Sequence, residues 1–204
     1  MKTPIKAVLF DYMGTCLDWH SSIVQALPSA LSEEEKSEFA LEVRQAYFDE
    51  NADRIRKGLE VENFDNTQRR VLDAFLEGRP EVKHAFSPAV KERFVSAWHH
   101  QKAWPDVPEA IKKLKRERGW EVYVHANGST RLQLDITKSA GLQFDLLLSS
   151  ELLGSYKPAP ESYLKALKVL QLKPEECVMV AAHAYDLRGA KAVGIKTVYV
   201  LPVD

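Results

Sequence analysis

The N-terminal segment carries the clearest hydrophobic pattern in the chain, and this pattern predicts a buried strand. An uninterrupted apolar run over residues 7–10 is bounded by Lys6 on one side and by Asp11 and a glycine turn on the other. A run without polar alternation is typical of a parallel strand that helices cover on both faces. We therefore expect a strand that begins at Ile5, with Asp11 where the strand ends.

Residues 17–100 follow a helical period instead. Helices are predicted over residues 21–31, 66–76 and 88–100, with a loop at 78–80. Ser32 and Glu35 form a capping box that opens a further, long helix. On that helix Arg44 falls in a mainly apolar row rather than on a charged face. The other members of the row are Leu41, Phe48, Asn51 and Ile55.

Short apolar runs and amphipathic helices alternate from residue 101 onwards. Residues 101–108 are predicted as a stiff linker, followed by helices at 106–118, 129–140, 159–170 and 184–193. Strands are predicted at 120–126, 144–149, 177–181 and 195–200. This order predicts an α/β fold with a Rossmann-like, three-layer parallel-sheet core. Residues 1–16 and 101–204 would form the core, and residues 17–100 an inserted all-helical cap domain.

Composition and charge exclude several classes of function. The 204 residues carry 28 basic and 29 acidic side chains, a net charge of -1, and no basic stripe interleaved with aromatics, so we expect no nucleic-acid partner. The chain has no long apolar leader or span, so we expect a cytoplasmic protein without a membrane partner. Cys16 and Cys177 are far apart and are interpreted as small buried hydrophobes rather than as a disulfide or metal site.

Polar side chains follow each predicted core strand. Asp11 follows the first strand, Asn127 the second, Lys157 the third, and His183 with Asp186 the fourth. The carboxyl ends of parallel strands share one edge of a sheet, so these groups should meet there. Each residue alone has a structural explanation, as a turn residue, a solvated cation or a helix cap, but their coincidence indicates an active site.

These segments resemble the haloacid dehalogenase superfamily along nearly the whole chain. Its nucleophile motif, hhhhDxxGT, matches residues 8–15, in which Thr15 can hydrogen-bond towards the Asp11 carboxylate. Its later motifs match residues 127–129, 157–158 and the region of Asp186. The resemblance implies a catalytic Asp11, a Lys157 that keeps Asp11 ionised, and a helical cap over the site.

Two positions favour the L-2-haloacid dehalogenase branch over the phosphatases. Phosphatases of this superfamily use a general acid where this chain has Met13, and usually an acidic magnesium ligand where it has Ala182. The dehalogenase branch needs neither group, so we expect no cofactor, with Mg²⁺ required only if the phosphatase alternative holds. By resemblance Arg44 would receive the halide, and the substrate-binding set would contain Tyr12, Arg44, Ala126, Asn127 and Tyr163.

Three positions depart from that branch. Ala126 and Ala181 replace serines, and His183 replaces an asparagine. His183 is interpreted either as a base that activates water or as a polar lining residue. The expected partner is a small carboxylate, halogenated in the dehalogenase interpretation. Two alternative functions stay open, a phosphatase or phosphonatase-like hydrolase and a retired binding protein. A homodimer also stays open as the oligomeric state.

Overall fold

The structure is a computed structural model that describes residues 3–201, and its largest element is a five-stranded parallel sheet. The described strands, numbered in chain order, are β1 Ala7–Phe10, β2 Leu17–Asp18, β3 Lys102–Ala103, β4 Glu121–Ala126, β5 Leu146–Ser149, β6 Cys177–Ala181 and β7 Lys196–Tyr199. The sheet has the order β5-β4-β1-β6-β7, so β1 lies at its centre. The short strands β2 and β3 pair antiparallel with each other and form a separate sheet.

The helices divide between the cap region, which is residues 17–100, and the later part of the chain. In the cap region they are α1 Trp19–Ala26, α2 Glu33–Arg56, α3 Phe64–Glu77, α4 Pro80–Lys83 and α5 Pro88–Ala97. The later ones are α6 Val107–Arg118, α7 Thr130–Ala140, α8 Ser150–Leu153, α9 Pro160–Leu170 and α10 Ala184–Ala192, with a 3₁₀ turn at Pro174–Glu176.

Alternate residues of β1 face two separate hydrophobic layers. Val8 and Phe10 pack in a cluster that includes Ile111 of α6 and Leu132 of α7. The other layer holds Ala7 and Leu9 together with residues of α9 and α10. All four strand residues are buried, as expected for a strand covered on both faces. The predicted three-layer parallel architecture is thereby confirmed.

The cap region contributes helices but no strand to the large sheet. Its longest helix, α2, begins at the predicted capping box: the Ser32 Oγ accepts from the Glu35 N–H at 3.2 Å, and a Glu35 carboxylate oxygen accepts from the Ser32 N–H at 2.7 Å. Strands β2 and β3 pair where the chain enters and leaves this region. The domain boundaries at residues 16 and 100 stay a prediction.

Several element bounds differ from the predicted ones. The first cap helix begins at Trp19 rather than at residue 21, because the Asp18 carboxylate accepts from the Ser21 N–H and caps it earlier. Pro80 opens the short helix α4 instead of closing a loop. The predicted linker 101–108 contains β3, and α8 was not predicted. Within residues 3–201, no helix is both long and apolar enough to cross a bilayer.

Candidate active site

A buried ion pair network lies at the carboxyl edge of the sheet. The Lys157 ammonium lies 2.9 Å from Asp11 Oδ1 and also donates to Asp186 Oδ2. Asp11 comes directly after β1, Lys157 follows β5 and α8, and Asp186 lies in the first turn of α10, which follows β6. All three side chains are buried. One cation therefore holds two carboxylates, which follow the neighbouring strands β1 and β6.

The charges of this network keep Asp11 ionised. Burial alone would raise the pKa of the Asp11 carboxyl, but Lys157 and the hydrogen bond from His183 outweigh it and hold that pKa well below its usual range. Burial opposes the charged form of Lys157 as well, yet the two carboxylates raise the pKa of the Lys157 ammonium. For Asp186, burial raises the pKa of its carboxyl. Asp11 is thus a carboxylate across the neutral pH range.

The second oxygen of Asp11 accepts from two further groups. Thr15 Oγ1 donates to Asp11 Oδ2 at 2.8 Å, and His183 Nδ1 lies 2.8 Å from the same oxygen. An ionised carboxylate can only accept, so His183 carries its proton on Nδ1, and its Nε2 is the basic nitrogen when the ring is neutral. Gly14, at φ +85°, leaves room for this ring, since a Cβ there would lie 3.2 Å from His183 Cε1.

Asp186 is positioned by Tyr163 from the neighbouring helix α9. The Tyr163 hydroxyl donates to Asp186 Oδ1 at 2.7 Å and has no solvent exposure. Gly189 of α10 makes this approach feasible, because a Cβ at that position would stand 2.7 Å from the Tyr163 hydroxyl oxygen. The Tyr163 hydroxyl thus holds the Asp186 carboxylate in place.

Asn127 fixes the loop that carries Lys157. Its side-chain amide donates to the Lys157 carbonyl at 2.9 Å, and its carbonyl accepts from the Lys157 N–H at 2.8 Å. This paired contact joins the loop after β4 to the loop after α8. The second N–H of the Asn127 amide takes no part in this paired contact.

A small cavity of about 40 Å³ lies above Asp11, and we call it the inner cavity. From the core it is lined by Asp11, Met13, Ala126, Asn127, His183 and Tyr185, and from the cap region by Arg44, Tyr47, Phe48, Phe64, Gln68 and Trp98. A cavity of this size has room for a few water-sized groups. Asp11 and Arg44 thus face the same confined space from opposite sides.

Aromatic rings hold the Arg44 guanidinium. Its central carbon lies 4.1 Å from the Trp19 ring centroid and 5.0 Å from that of Phe48. Within residues 3–201 its single hydrogen bond is a long one, 3.4 Å, to the Met13 carbonyl. Burial lowers the pKa of Arg44 to about 10, so it is still a cation at neutral pH. Its N–H donors are therefore largely free to bind an anion.

Comparisons with known proteins assign the family. A family model described as haloacid dehalogenase-like hydrolase matches residues 5–194. This chain belongs to that family. A crystal structure of an L-2-haloacid dehalogenase superposes with a TM-score of 0.85 at 35% identity, covering 97% of this chain and 85% of that one.

Curated relatives of the family differ in activity. The (S)-2-haloacid dehalogenase 4A of Burkholderia cepacia is 28% identical, with 97% of this chain and 84% of the relative covered. A phosphoglycolate phosphatase of Nitrosospira multiformis is also 28% identical, with 94% and 81% covered. Haloacid dehalogenase-like hydrolases thus include both activities at the same distance from this chain, and the site itself must decide between them.

Magnesium, which the phosphatase alternative requires, does not fit the side chains of this haloacid dehalogenase-like hydrolase. Both oxygens of Asp11 and both oxygens of Asp186 already have hydrogen-bond partners, and the Lys157 ammonium lies between the two carboxylates. Ala182 supplies no third carboxylate. In the part of the chain that the structure describes, no three His, Cys, Asp or Glu side chains are arranged as metal ligands.

The structure brings most of the predicted site residues of this hydrolase together and separates two from the cavity. Asp11, Arg44, Ala126, Asn127 and His183 line it. Behind Asp11, its carboxylate is contacted by Lys157 and Thr15. Asp186 contacts the Lys157 ammonium. The roles assigned to these residues stay predictions.

Tyr12 and Tyr163 need correction as substrate-binding residues. The Tyr12 side chain is fully buried, lies 2.7 Å from the Thr137 hydroxyl and packs edge-on against Phe144. Tyr12 faces the hydrophobic layer, because adjacent residues of an extended segment point to opposite faces and Asp11 faces the cavity. Tyr163 is likewise buried and contacts Asp186, so neither tyrosine lines the cavity.

Sequence reasoning missed the aromatic wall of the site. Trp19 and Trp98 are stacked with centroids 5.8 Å apart, Trp19 holds Arg44, and Trp98 lines the inner cavity. The helix period gives no sign that Trp98 reaches the cavity, because neighbouring residues on a helix face different directions. Gly189 was also missed, since a glycine within a helix gives no signal about the tyrosine that approaches it from another helix.

Proposed function

We propose that this hydrolase is a 2-haloacid dehalogenase that cleaves a carbon–halogen bond through an aspartyl ester and without a metal. The observation that carries the proposal is the opposition of an ionised Asp11 and a loosely bonded Arg44 across one small cavity. A carboxylate can attack a carbon atom there while a cation receives the anion that leaves it. The substrate class is a small carboxylate with a halogen on carbon 2.

In the first step, Asp11 attacks carbon 2 of the substrate from the side opposite the halogen. A bond forms between a carboxylate oxygen and carbon 2, the carbon–halogen bond breaks with its electron pair on the halide, and the configuration inverts. Arg44 stabilises the departing halide through its free N–H donors. The unused amide N–H of Asn127 binds the substrate carboxylate. A halide is a weak base, so Met13 in place of a general acid does not hinder this step.

In the second step, water attacks the ester carbonyl carbon of Asp11. His183 lies beside that carboxyl group, and its Nε2 accepts the proton of the water. The tetrahedral intermediate collapses, the alkoxide takes a proton and leaves as a 2-hydroxy acid, and Asp11 is again a carboxylate held by Lys157. The net products are the hydroxy acid, a halide ion and a proton.

The phosphatase alternative rests on relatives rather than on this site. Phosphoglycolate phosphatases match the chain as well as some dehalogenases do. Transfer of a phosphoryl group requires neutralisation of its equatorial oxygens, normally by a metal, and protonation of the leaving oxygen. Met13 cannot protonate the leaving oxygen. Ala182 and the occupied carboxylate oxygens do not favour a bound metal, so we place this activity second.

The proposal is tested by halide release from short 2-chloro-, 2-bromo- and 2-fluorocarboxylic acids in the presence of a chelator. The wild type should release halide, and Asp11→Asn should lose at least about 10⁴-fold in kcat because the nucleophile is gone. Phosphate release from simple phosphate esters, with added magnesium, is the paired assay. Magnesium-dependent phosphate release without any halide would overturn the proposal and favour the phosphatase alternative, and silence in both assays would favour a retired binding protein.

A further inference from the structure

A larger cavity opens directly beside the inner cavity, between α2 and the loops at the carboxyl edge of the sheet. Its volume is about 400 Å³, and we call it the outer chamber. Phe48, Asn127, His183 and Tyr185 line both spaces. The two cavities therefore adjoin along these four side chains.

The size of the inner cavity limits what can lie beside Asp11. A water molecule needs roughly 10–15 Å³ of such volume, so about 40 Å³ holds only a halogen and the carbon atoms next to it. Any larger substituent on the carbon that Asp11 attacks must extend elsewhere. The outer chamber adjoins the inner cavity and is about ten times larger.

The long wall of the outer chamber is one face of α2. Phe48, Asn51, Ala52 and Ile55 lie on that face, and Pro158 and Tyr185 lie opposite. The distance from Phe48 to Ile55 is seven residues, or about 10 Å along the helix axis. Most of these groups present carbon atoms, so the chamber suits an extended apolar group.

Charges at the chamber favour a neutral occupant. Asp49 lines it and is exposed, and its Oδ1 accepts from the Gln45 amide at 2.9 Å. Lys157 also lines it, but its ammonium is already paired with Asp11 and Asp186. A second carboxylate in the chamber would therefore meet an unpaired negative charge and no free cation.

We propose that the preferred substrates carry a neutral, extended alkyl substituent on the halogen-bearing carbon, and that this substituent occupies the outer chamber. The proposal rests on the proposed function for the reacting end of the substrate. The site is then specific for medium-chain 2-haloacids, with an alkyl group of about six carbons matching a span of about 10 Å. Short haloacids are accepted but leave the chamber unfilled.

The test compares kcat/KM for 2-bromopropionate, 2-bromooctanoate and 2-bromooctanedioate. Each methylene removed from water contributes about three- to fourfold, so 2-bromooctanoate should exceed 2-bromopropionate by at least about 50-fold. The dioate, with its distal carboxylate near Asp49, should fall back at least about tenfold from 2-bromooctanoate. Turnover of 2-bromopropionate that equals or exceeds turnover of 2-bromooctanoate would overturn the proposal.

A matched pair of variants locates the effect in the chamber. Ala52→Trp places a large side chain on the chamber wall, so the ratio of kcat/KM for the octanoate over the propionate should drop at least about tenfold. Ala74→Trp makes the same change at an exposed position of α3, outside the chamber, and should leave that ratio unchanged. An equal ratio in the two variants would contradict the assignment.

Calorimetry with halogen-free acids separates this inference from the proposed function. Octanoate should bind the wild type at least about 50-fold more tightly than propionate, because the same methylenes leave water. If no haloacid is turned over and this difference still appears, the proposed function fails and the chamber assignment stands. If 2-bromopropionate is turned over and octanoate binds no better than propionate, the function stands and the chamber assignment fails.

Discussion

On the core side of the inner cavity the charged groups satisfy one another, whereas on the cap side they do not. Asp11, Lys157 and Asp186 share short hydrogen bonds, and Thr15, His183 and Tyr163 complete them. Across the cavity, Arg44 rests between aromatic rings with one long hydrogen bond. The side-chain atoms Gln68 Oε1 and Trp98 Nε1 are buried there with no partner in residues 3–201.

This difference separates two tasks. A fully bonded ionic network fixes the position and charge of the Asp11 carboxylate before any ligand binds, and it is sensitive to the loss of a single member. A wall of aromatic rings and unpaired donors can still bind a ligand. Substitutions in it should lower the free energy of unfolding less than substitutions in the ionic network. The core side is therefore bonded before any ligand binds, and the cap side keeps donors that a ligand can use.

The largest expected effect is that of Lys157→Met. The substitution leaves two buried carboxylates without their shared cation, so the free energy of unfolding should fall by about 3–5 kcal/mol and kcat by at least about 1000-fold. Urea denaturation and halide release measure the two effects. Lys165→Met, at a partly exposed lysine of α9 that pairs with Glu161, is the control and should change stability by less than about 0.5 kcal/mol. Equal destabilisation by both variants would refute the network.

Arg44→Met should reduce activity without reducing stability, in contrast to Lys157→Met. Loss of the group that stabilises the leaving anion should lower kcat by about 10²–10³-fold. The free energy of unfolding should stay the same or rise, since the variant removes a buried charge that has few hydrogen bonds. Arg69→Met removes an ion pair with Glu92 of α5, away from the inner cavity, and should leave kcat within about twofold of the wild type. Halide release by Arg44→Met at the wild-type rate would remove Arg44 from the mechanism.

Gly189→Ala tests the hydrogen bond between Tyr163 and Asp186 on the core side, and its expected effect is smaller. The new Cβ would stand 2.7 Å from the Tyr163 hydroxyl oxygen and push the tyrosine away from Asp186. Displacement of one buried hydrogen bond should cost about 1–3 kcal/mol of stability and about tenfold in kcat. Gly78→Ala, where the nearest atom is 3.6 Å away and φ is −77°, is the matched control. A Gly189→Ala protein that behaves like Gly78→Ala would show that Asp186 does not depend on Tyr163.

The smallest effect concerns a histidine that joins the cap region to the core. His99 lies 2.9 Å from Asp65 of α3 through Nε2 and 2.9 Å from Asp135 of α7 through Nδ1, and Arg131 also bonds Asp135. The hydrogen bond to Asp65 and then the one to Asp135 raise the pKa of His99, although burial lowers it. A raised pKa in the folded state stabilises the protein at low pH, and this stabilisation is lost as pH rises through that pKa.

Thermal unfolding between pH 5 and pH 9 tests this contact. We expect a loss of about 1 kcal/mol as His99 deprotonates, of the size typical for partly exposed ion pairs. His99→Gln should abolish this change, whereas His100→Gln, whose histidine bonds only the Ser96 carbonyl within the described residues, should preserve it. A pH profile that His99→Gln leaves unaltered would contradict the assignment.

Much of the core side was readable from the sequence, because its residues follow strands whose apolar runs are unambiguous. The positions of Asp11, Asn127, Lys157 and Asp186 at strand or loop ends required only that the strands be parallel. Their partners across the fold were harder to assign. Tyr163 is an ordinary helix residue by pattern, and only the packing of α9 against α10 shows that its hydroxyl reaches Asp186.

The cap side was readable only in part. Arg44 was conspicuous because a cation fell in an apolar row, but the rings that hold it come from α1 and from α2 itself. Tyr12 was placed in the substrate-binding set by resemblance, but Asp11 faces the site, and adjacent extended residues point to opposite faces. The helix period alone does not show which aromatic residues meet across the cavity, since their approach depends on how α1, α2 and α5 pack.

The central claim is that Asp11 itself forms the covalent intermediate, and single turnover in water enriched in oxygen-18 tests it most directly. With enzyme in excess over 2-bromopropionate, the account predicts that the heavy oxygen enters the Asp11 carboxylate, detected by mass spectrometry of the peptide that contains it, while the lactate carries ordinary oxygen. Lactate that carries the heavy oxygen, with an unlabelled Asp11, would show that water attacks the substrate directly and would contradict the account.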